Sequence, residues 1–308
     1  MRIVVIGATG HIGTFLVPRL VMAGHEVIAA SRGAREPYTP HHAWSRVQRL
    51  KIDRIHEEAA GSFGTRIASL EADVVIDLIC FTPESAQHLV DALTGRDVLL
   101  LHCGTIWVHG HSTIVPTVES QPRNPFGDYG IKKAAIEEWL LNATHEGKVR
   151  AAILHPGHLV GPGWPPLNPA GHFDSAVFAT LAKGEELVLP NLGMETVHHV
   201  HADDVAQAFQ LAVTKADRAV GESFHVVSPA AMTLRGYAEA MAAQSGKPAR
   251  LGFLPWDEWK LTVTESQARA TWDHIAHSPN CSIAKARERL GYAPRYTSIE
   301  AVIDALGA

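Results

Sequence analysis

Gly7-Ala8-Thr9-Gly10-His11-Ile12-Gly13 decides the reading of this chain. It follows Ile3-Val4-Val5-Ile6, an all-aliphatic run of the kind expected for a strand buried on both faces. It precedes residues 12–23, where apolar positions recur at helical spacing up to Gly24, a helix-stopping glycine. A glycine-rich turn between a first strand and a first helix has a physical use. One glycine permits the tight turn, another lets the backbone approach a pyrophosphate, and a third lets the helix pack closely on the strand. The helix N-terminus then offers free N–H groups and a partial positive charge to phosphate. Gly7, Thr9, Gly10, His11, Ile12 and Gly13 are therefore candidate dinucleotide contacts.

Outward from this turn, strand and helix signals alternate. Residues 26–30, 47–52, 73–79, 97–102 and 149–154 read as further strands, and 83–93 and 129–144 as helices. Pro18 should kink the first helix. The rhythm implies an α/β fold, a doubly wound parallel sheet of Rossmann type. After Pro156 the Gly/Pro-rich stretch 158–169 reads as a loop leaving the sheet. The helix starting near Asp203 and the strand at 223–227 return to it. The expected organisation is residues 1–157 plus 198–228 as the NAD(P)-binding domain, with 158–197 plus 229–308 as a smaller, mostly C-terminal substrate domain.

Composition excludes several classes. With 27 Lys and Arg against 32 Asp and Glu, the net charge of −5 argues against a general nucleic-acid binder. Three cysteines in 308 residues make no disulfide framework. No apolar run approaches the ~20 residues of a membrane helix, and Ile3–Ile6 is too short for a secretory leader. A cytoplasmic protein with no membrane partner is expected.

The end of the second strand bears on the cofactor. NAD binders usually carry a carboxylate there for the ribose diol. This chain has Ile28-Ala29-Ala30-Ser31-Arg32. Ser31 and Arg32 suit a 2′-phosphate, since a guanidinium matches phosphate oxygens. NADP is expected, with NAD the alternative. Asp53, after the third strand, either accepts from the adenine amino group or caps the next helix.

Tyr129-Gly-Ile-Lys-Lys133 places a phenol and an ammonium four residues apart, hence on one helix face. The ammonium should stabilise phenolate and lower the tyrosine pKa toward a range useful for proton transfer. In order, Gly7-x-x-Gly10-x-x-Gly13, Thr105, Tyr129-x-x-x-Lys133, His155-Pro156-Gly157 and Asp203-Asp204-Val205-Ala206 resemble the extended short-chain dehydrogenase/reductase family, of NAD-dependent epimerase/dehydratase type. The segment 282–294 resembles that family's C-terminal piece. The resemblance implies that Tyr129 is the general acid/base and that Lys133 holds the nicotinamide ribose and tunes Tyr129. Thr105 would hold the reacting oxygen. Leu78, Ile79 and Cys80 would line the cofactor, and residues 155–158, including His155, Gly157 and His158, would run beside the nicotinamide. It also implies a homodimer built on the helices after Pro83 and at 129–144.

Departures from the family pattern narrow the substrate. Ile106 and Trp107 stand where sugar-nucleotide dehydratases carry an acidic pair, so that elimination is discounted. The stretch 196–201, Thr-Val-His-His-Val-His, lacks the arginine with which sugar-nucleotide epimerases grip pyrophosphate. The 19 histidines invite a metal, but adjacent His198 and His199 would point to opposite faces of a strand, and no spacing is of the His-Glu-x-x-His type. No metal is expected. The sequence thus reads as an NAD(P)-dependent reductase or epimerase acting on a small, sugar-like alcohol or ketone. The alternative is a relative altered into an NAD(P)-sensing or RNA-binding protein. Intact Thr105, Tyr129 and Lys133 oppose the first form of it and the negative charge opposes the second.

Overall fold

The computed structural model describes residues 1–307. A single seven-stranded sheet forms its centre, with β1 (Arg2–Ile6), β2 (Glu26–Ser31), β3 (Gln48–Lys51), β4 (Val74–Asp77), β5 (Leu99–Cys103) and β6 (Arg150–Pro156). Four short strands follow, β7 (His158–Val160), β8 (Glu186–Pro190), β9 (Thr196–Val197) and β10 (His199–His201). The seventh sheet strand is β11 (Ser223–Val226), and β12 (Met232–Thr233) and β13 (Arg250–Leu254) complete the set. Across the sheet the order is β3-β2-β1-β4-β5-β6-β11, and every pairing is parallel. This is the doubly wound order, and its direction reverses between β1 and β4, where a crevice must open at the strands' C-terminal ends. Gly7–Gly13 lies at that crevice because it follows β1.

Alternation along each strand builds two cores. Ile3, Val5, Ala29, Ile76, Leu101 and Phe224 face the helices His11–Met22 and Ala202–Thr214. Val4, Ile6, Ile28, Val75, Leu100 and Ile153 face the layer that includes Pro83–Leu93 and Gly127–His145. Helix His11–Met22 runs unbroken through Pro18 rather than ending there. The missing proline N–H leaves only the Thr14 carbonyl without its intrahelical donor.

A third core, with Val160, Leu181, Leu189, Val197, Tyr237, Ala242, Trp259 and Val302, belongs to the smaller lobe. Here local reading fell short. The first residues of the expected loop 158–169 form β7, which pairs in parallel with β10, 41 residues on, and β8 pairs in parallel with β13. The Asp-Asp pair binds its helix to two other parts of the chain. Asp203 takes a bidentate ion pair from Arg19 at 2.6 and 2.7 Å, and Asp204 accepts the backbone N–H groups of Arg295 and Tyr296. No helix among the described residues is long and apolar enough to cross a membrane.

Candidate active site

A cavity of about 280 Å³ opens at the crevice, lined among others by Gly7, Thr9, Gly10, Ser31, Arg32, Arg35, Asp53, Ile79 and Phe81. Gly7 has φ +87°, and a Cβ there would lie 2.8 Å from Ile79 Cγ2, so the turn excludes any side chain. Gly10 caps helix His11–Met22 without a side-chain bond, and the first turn holds no acidic residue. The first intrahelical bond runs from Thr14 N–H to the Gly10 carbonyl. The N–H groups of His11, Ile12 and Gly13 precede it and supply an uncapped positive end. These features fit a dinucleotide pyrophosphate.

The side chains of His11 and Ile12 do not line the cavity. Ile12 packs in the sheet core, so only its backbone can face a phosphate. The His11 ring is buried, stacked on Trp164 at 5.1 Å and set edge-on to Tyr38. Asp53 caps the next helix, accepting from His56 N–H, and it also lines the cavity. Arg35 is a lining residue that sequence reasoning missed. Its signal was present, three residues beyond Arg32 on the same loop; it is exposed and bonds the Tyr38 hydroxyl.

At the other end, Tyr129 and Lys133 lie on helix Gly127–His145 beside the end of β5. Lys133 is buried, and its Nζ donates to the carbonyls of Cys80 and Cys103, 2.7 Å each. Cys103 ends β5 and Cys80 lies three residues beyond the end of β4, so the ammonium ties the loop after β4 to the end of β5. Burial pushes the lysine pKa down. The expected lowering of the tyrosine pKa is absent in this form. Desolvation pushes the phenol above its ordinary value, with the Thr105 hydroxyl acting in the opposite sense, because the ammonium is committed to the two carbonyls and sits 5.9 Å from the ring centroid. Tyr129 as a whole is 42% exposed, so the phenol is protonated at neutral pH without being sealed from solvent. The Thr105 side chain accepts from Trp107 N–H at the start of a short 3-10 turn.

The remaining expected cofactor residues divide. Ile79 lines the cavity. Leu78 packs against the sheet core, and Cys80 is buried and offers its carbonyl to Lys133. His155, expected beside the nicotinamide, is fully buried and bonded to Thr105 N–H and to Glu137. Gly157 lies against the His198 carbonyl, 2.3 Å from where its Cβ would be. His158 sits on the far side of Trp107, among His199 and His274. No cluster able to hold a metal occurs among the described residues. His198 and His199 take separate backbone carbonyls, of Ser228 and Leu167, as their opposite faces require.

Burial keeps many of these imidazoles neutral. It lowers His11 and His198 to about 4 and His199 to about 3. A histidine near 6.5 when unfolded and near 4 when folded contributes stability that is full above pH 6.5 and is lost as pH falls toward 4, because the unfolded chain binds the proton. The urea midpoint should therefore drop steeply between pH 6.5 and 5, above the carboxylate range. A flat midpoint over that interval would contradict the assigned neutral histidines.

A parallel sheet with its glycine turn at the switch point, and a Thr–Tyr–Lys set at the end of β5, define a dinucleotide-binding oxidoreductase-type protein. Residues 3–226 match the model of the NAD dependent epimerase/dehydratase family, and the chain belongs to that family. It is 28% identical over 278 residues to the 2'-dehydrokanamycin reductase of Streptomyces kanamyceticus, across 89% of this chain and 76% of that protein. It is 27% identical to the dTDP-6-deoxy-L-talose 4-dehydrogenase (NAD(P)(+)) of Kitasatospora kifunensis, across 98% and 93%. The UDP-glucose 4-epimerase of Thermotoga maritima, solved with UDP-glucose, superposes with a TM-score of 0.74 over 100% of this chain and 98% of its own, at 20% identity. That likeness speaks to the fold.

Proposed function

We propose that this protein is an NADP-dependent reductase of a small, sugar-like ketone, working reversibly on the corresponding alcohol. The observation that carries the cofactor preference is the end of β2, where Ser31, Arg32 and Arg35 line the cavity and no carboxylate stands to meet a ribose diol. A bound nicotinamide would supply the hydride. The chain's own residues would do the rest: Tyr129 donates the proton to the carbonyl oxygen, Thr105 holds that oxygen, and Lys133 anchors the ribose side.

The substrate is proposed to lack a nucleotide. The stretch 196–201 offers no cation, and Val197, His198 and His199 turn into buried packing. Instead, Trp107 stacks on His277 at 4.1 Å and Phe173 stands edge-on to His274, uncharged faces suited to a sugar ring. The lobe formed by 158–197 and 229–308 is proposed to supply these contacts. By their names both relatives are a reductase or a dehydrogenase, which supports the reaction class; the kanamycin relative is the one whose named substrate carries no nucleotide, while the talose relative's is a dTDP-sugar. A homodimer is proposed through helices Pro83–Leu93 and Gly127–His145, which pack together and leave Ile131 exposed; sedimentation equilibrium tests it.

The deciding experiment is titration of stripped protein with NADP and NAD. Arg32→Ala and Arg35→Ala should each weaken NADP binding by about 10–100-fold, the worth of a charge-assisted contact to phosphate. NAD binding should change by less than about twofold. Tightly retained NAD and no NADP preference would replace the reductase with an epimerase, which keeps its cofactor through the cycle. NADPH oxidation over a panel of keto-aminoglycosides, free ketosugars and nucleotide ketosugars then sorts the substrate class.

A further inference from the structure

Tyr129, Lys133 and Glu137 follow one another at intervals of four on helix Gly127–His145 and share a face. The proposed reaction uses the first two. Glu137 is 3% exposed, and a buried carboxylate needs a reason. Its Oε2 accepts from Arg123 Nε at 2.8 Å, and its Oε1 accepts from Arg123 Nη2 at 2.7 Å. The same Oε1 lies 2.9 Å from His155 Nε2. His155 Nδ1, in turn, accepts the backbone N–H of Thr105 at 3.0 Å.

We infer that Glu137 and His155 are positioning residues which, with Arg123, hold the Thr105 turn at the reacting centre; this rests on the reading of Thr105 as the hydroxyl that holds the reacting oxygen. Gly104 N–H still bonds the Leu154 carbonyl of β6, at 2.7 Å. One residue later the chain leaves the sheet, and the His155 imidazole takes the place of a ladder carbonyl for the Thr105 N–H. The turn is pressed onto that ring, since a Cβ on Gly104 would lie 2.3 Å from His155 Nδ1.

The tautomer follows from the partners. A nitrogen that accepts a peptide N–H carries no proton, so the ring proton sits on Nε2 and is donated to Glu137. The Thr105 N–H and the Glu137 carboxylate select the same tautomer from opposite sides of the ring, and the other one would set N–H against N–H at Thr105. The charge of Glu137 is itself secured. Burial alone would raise its pKa, but His155 and Arg123 hold it well below the ordinary carboxylate range. Arg123 also donates to the carbonyls of Glu119 and Gln121, so the loop before the helix is fixed by the same group. One helix face thus reaches the end of β5 at two points beyond Tyr129: Lys133 at the Cys103 carbonyl, and Glu137, through His155, at the Thr105 N–H.

The test has two arms. Nitrogen-15 NMR of histidine-labelled protein at neutral pH should show His155 with Nε2 protonated and Nδ1 bare, assigned by loss of its signals in His155→Asn. Turnover is read on whichever panel ketone reacts. His155→Leu removes the acceptor and should lower kcat about 100-fold, the cost of misplacing a reacting group by about 1 Å. KM and NADPH affinity should stay within about threefold. His155→Asn restores an acceptor oxygen near Nδ1 and should recover activity to within about tenfold of the parent. A protonated Nδ1, an unimpaired His155→Leu, or an Asn variant no better than Leu would each overturn the proposal. If His155→Leu does not fold, Glu137→Gln, which keeps an acceptor for Nε2, must retain the same tautomer signals, and their loss counts against it. If no ketone reacts, the functional reading fails, and the NMR arm still decides the relay.

Discussion

Replacing Tyr129 with Phe is expected to lower kcat for ketone reduction by about 10²–10⁴-fold, the usual worth of a positioned general acid. The cavity that would take the cofactor is lined by the glycine turn and the end of β2, not by the tyrosine hydroxyl. NADPH affinity should accordingly change by less than about threefold. The ring stands edge-on to Trp107 at 6.0 Å, and Phe preserves that packing, so the melting temperature should move little. The raised phenol pKa has a direct bearing. A tyrosine protonated at neutral pH is in the right state to donate to a carbonyl, and it becomes an efficient donor only if its pKa falls when the reactants bind. Pre-steady-state NADPH oxidation, followed optically, measures the effect. A variant that transfers hydride at the parent rate would remove Tyr129 from the chemistry.

The sheet was legible because its signals are local. Ile3–Ile6 is aliphatic on both faces, the glycine turn has one physical use in that place, and β4 and β5 are dense aliphatic runs between turn residues. The smaller lobe was not, because its strands find partners far along the chain. Glu186–Pro190 meets Arg250–Leu254, and nothing in either stretch names the other. The catalytic candidates divide the same way. Tyr129 and Lys133 announce themselves by spacing. Glu137 continues that spacing by one turn, yet a glutamate on a helix is ordinarily a solvated residue. Its meaning depends on His155, 18 positions away, and on Arg123, 14 positions before it. His155 was placed beside the cofactor because its neighbours in sequence belong there. In three dimensions it stands behind the catalytic turn. The histidine count is ambiguous for a related reason, since a buried imidazole that bonds one carbonyl and a metal ligand look alike in a sequence.

Arg54 gives the second large effect. It was passed over in sequence because arginines are rarely buried, yet it is 7% exposed beneath the Ser31–Asp53 end of the cavity it helps to line, the end proposed to take adenosine. Its Nη1 meets both oxygens of Asp77 at 2.8 Å, its Nε meets Glu58 at 2.7 Å, and its guanidinium lies over the Phe63 ring. Arg54→Met keeps most of the volume but leaves the Asp77 carboxylate, 2% exposed, with only the Ile79 N–H as a recorded partner. Breaking a buried ion pair from one side costs about 3–5 kcal/mol, because the remaining charge is neither solvated nor paired. Urea denaturation should show a loss of that size. The double variant Arg54→Met/Asp77→Leu should recover most of it, since an apolar pair of similar volume has no charge to desolvate. Asp77 closes β4 and Arg54 opens the helix after β3, so the pair also sets the distance between the two walls of the adenosine end. NADP affinity should therefore fall in the single variant and return only in part in the double. If the double variant were as unstable as the single one, the loss would come from packing around Phe63 rather than from the stranded carboxylate.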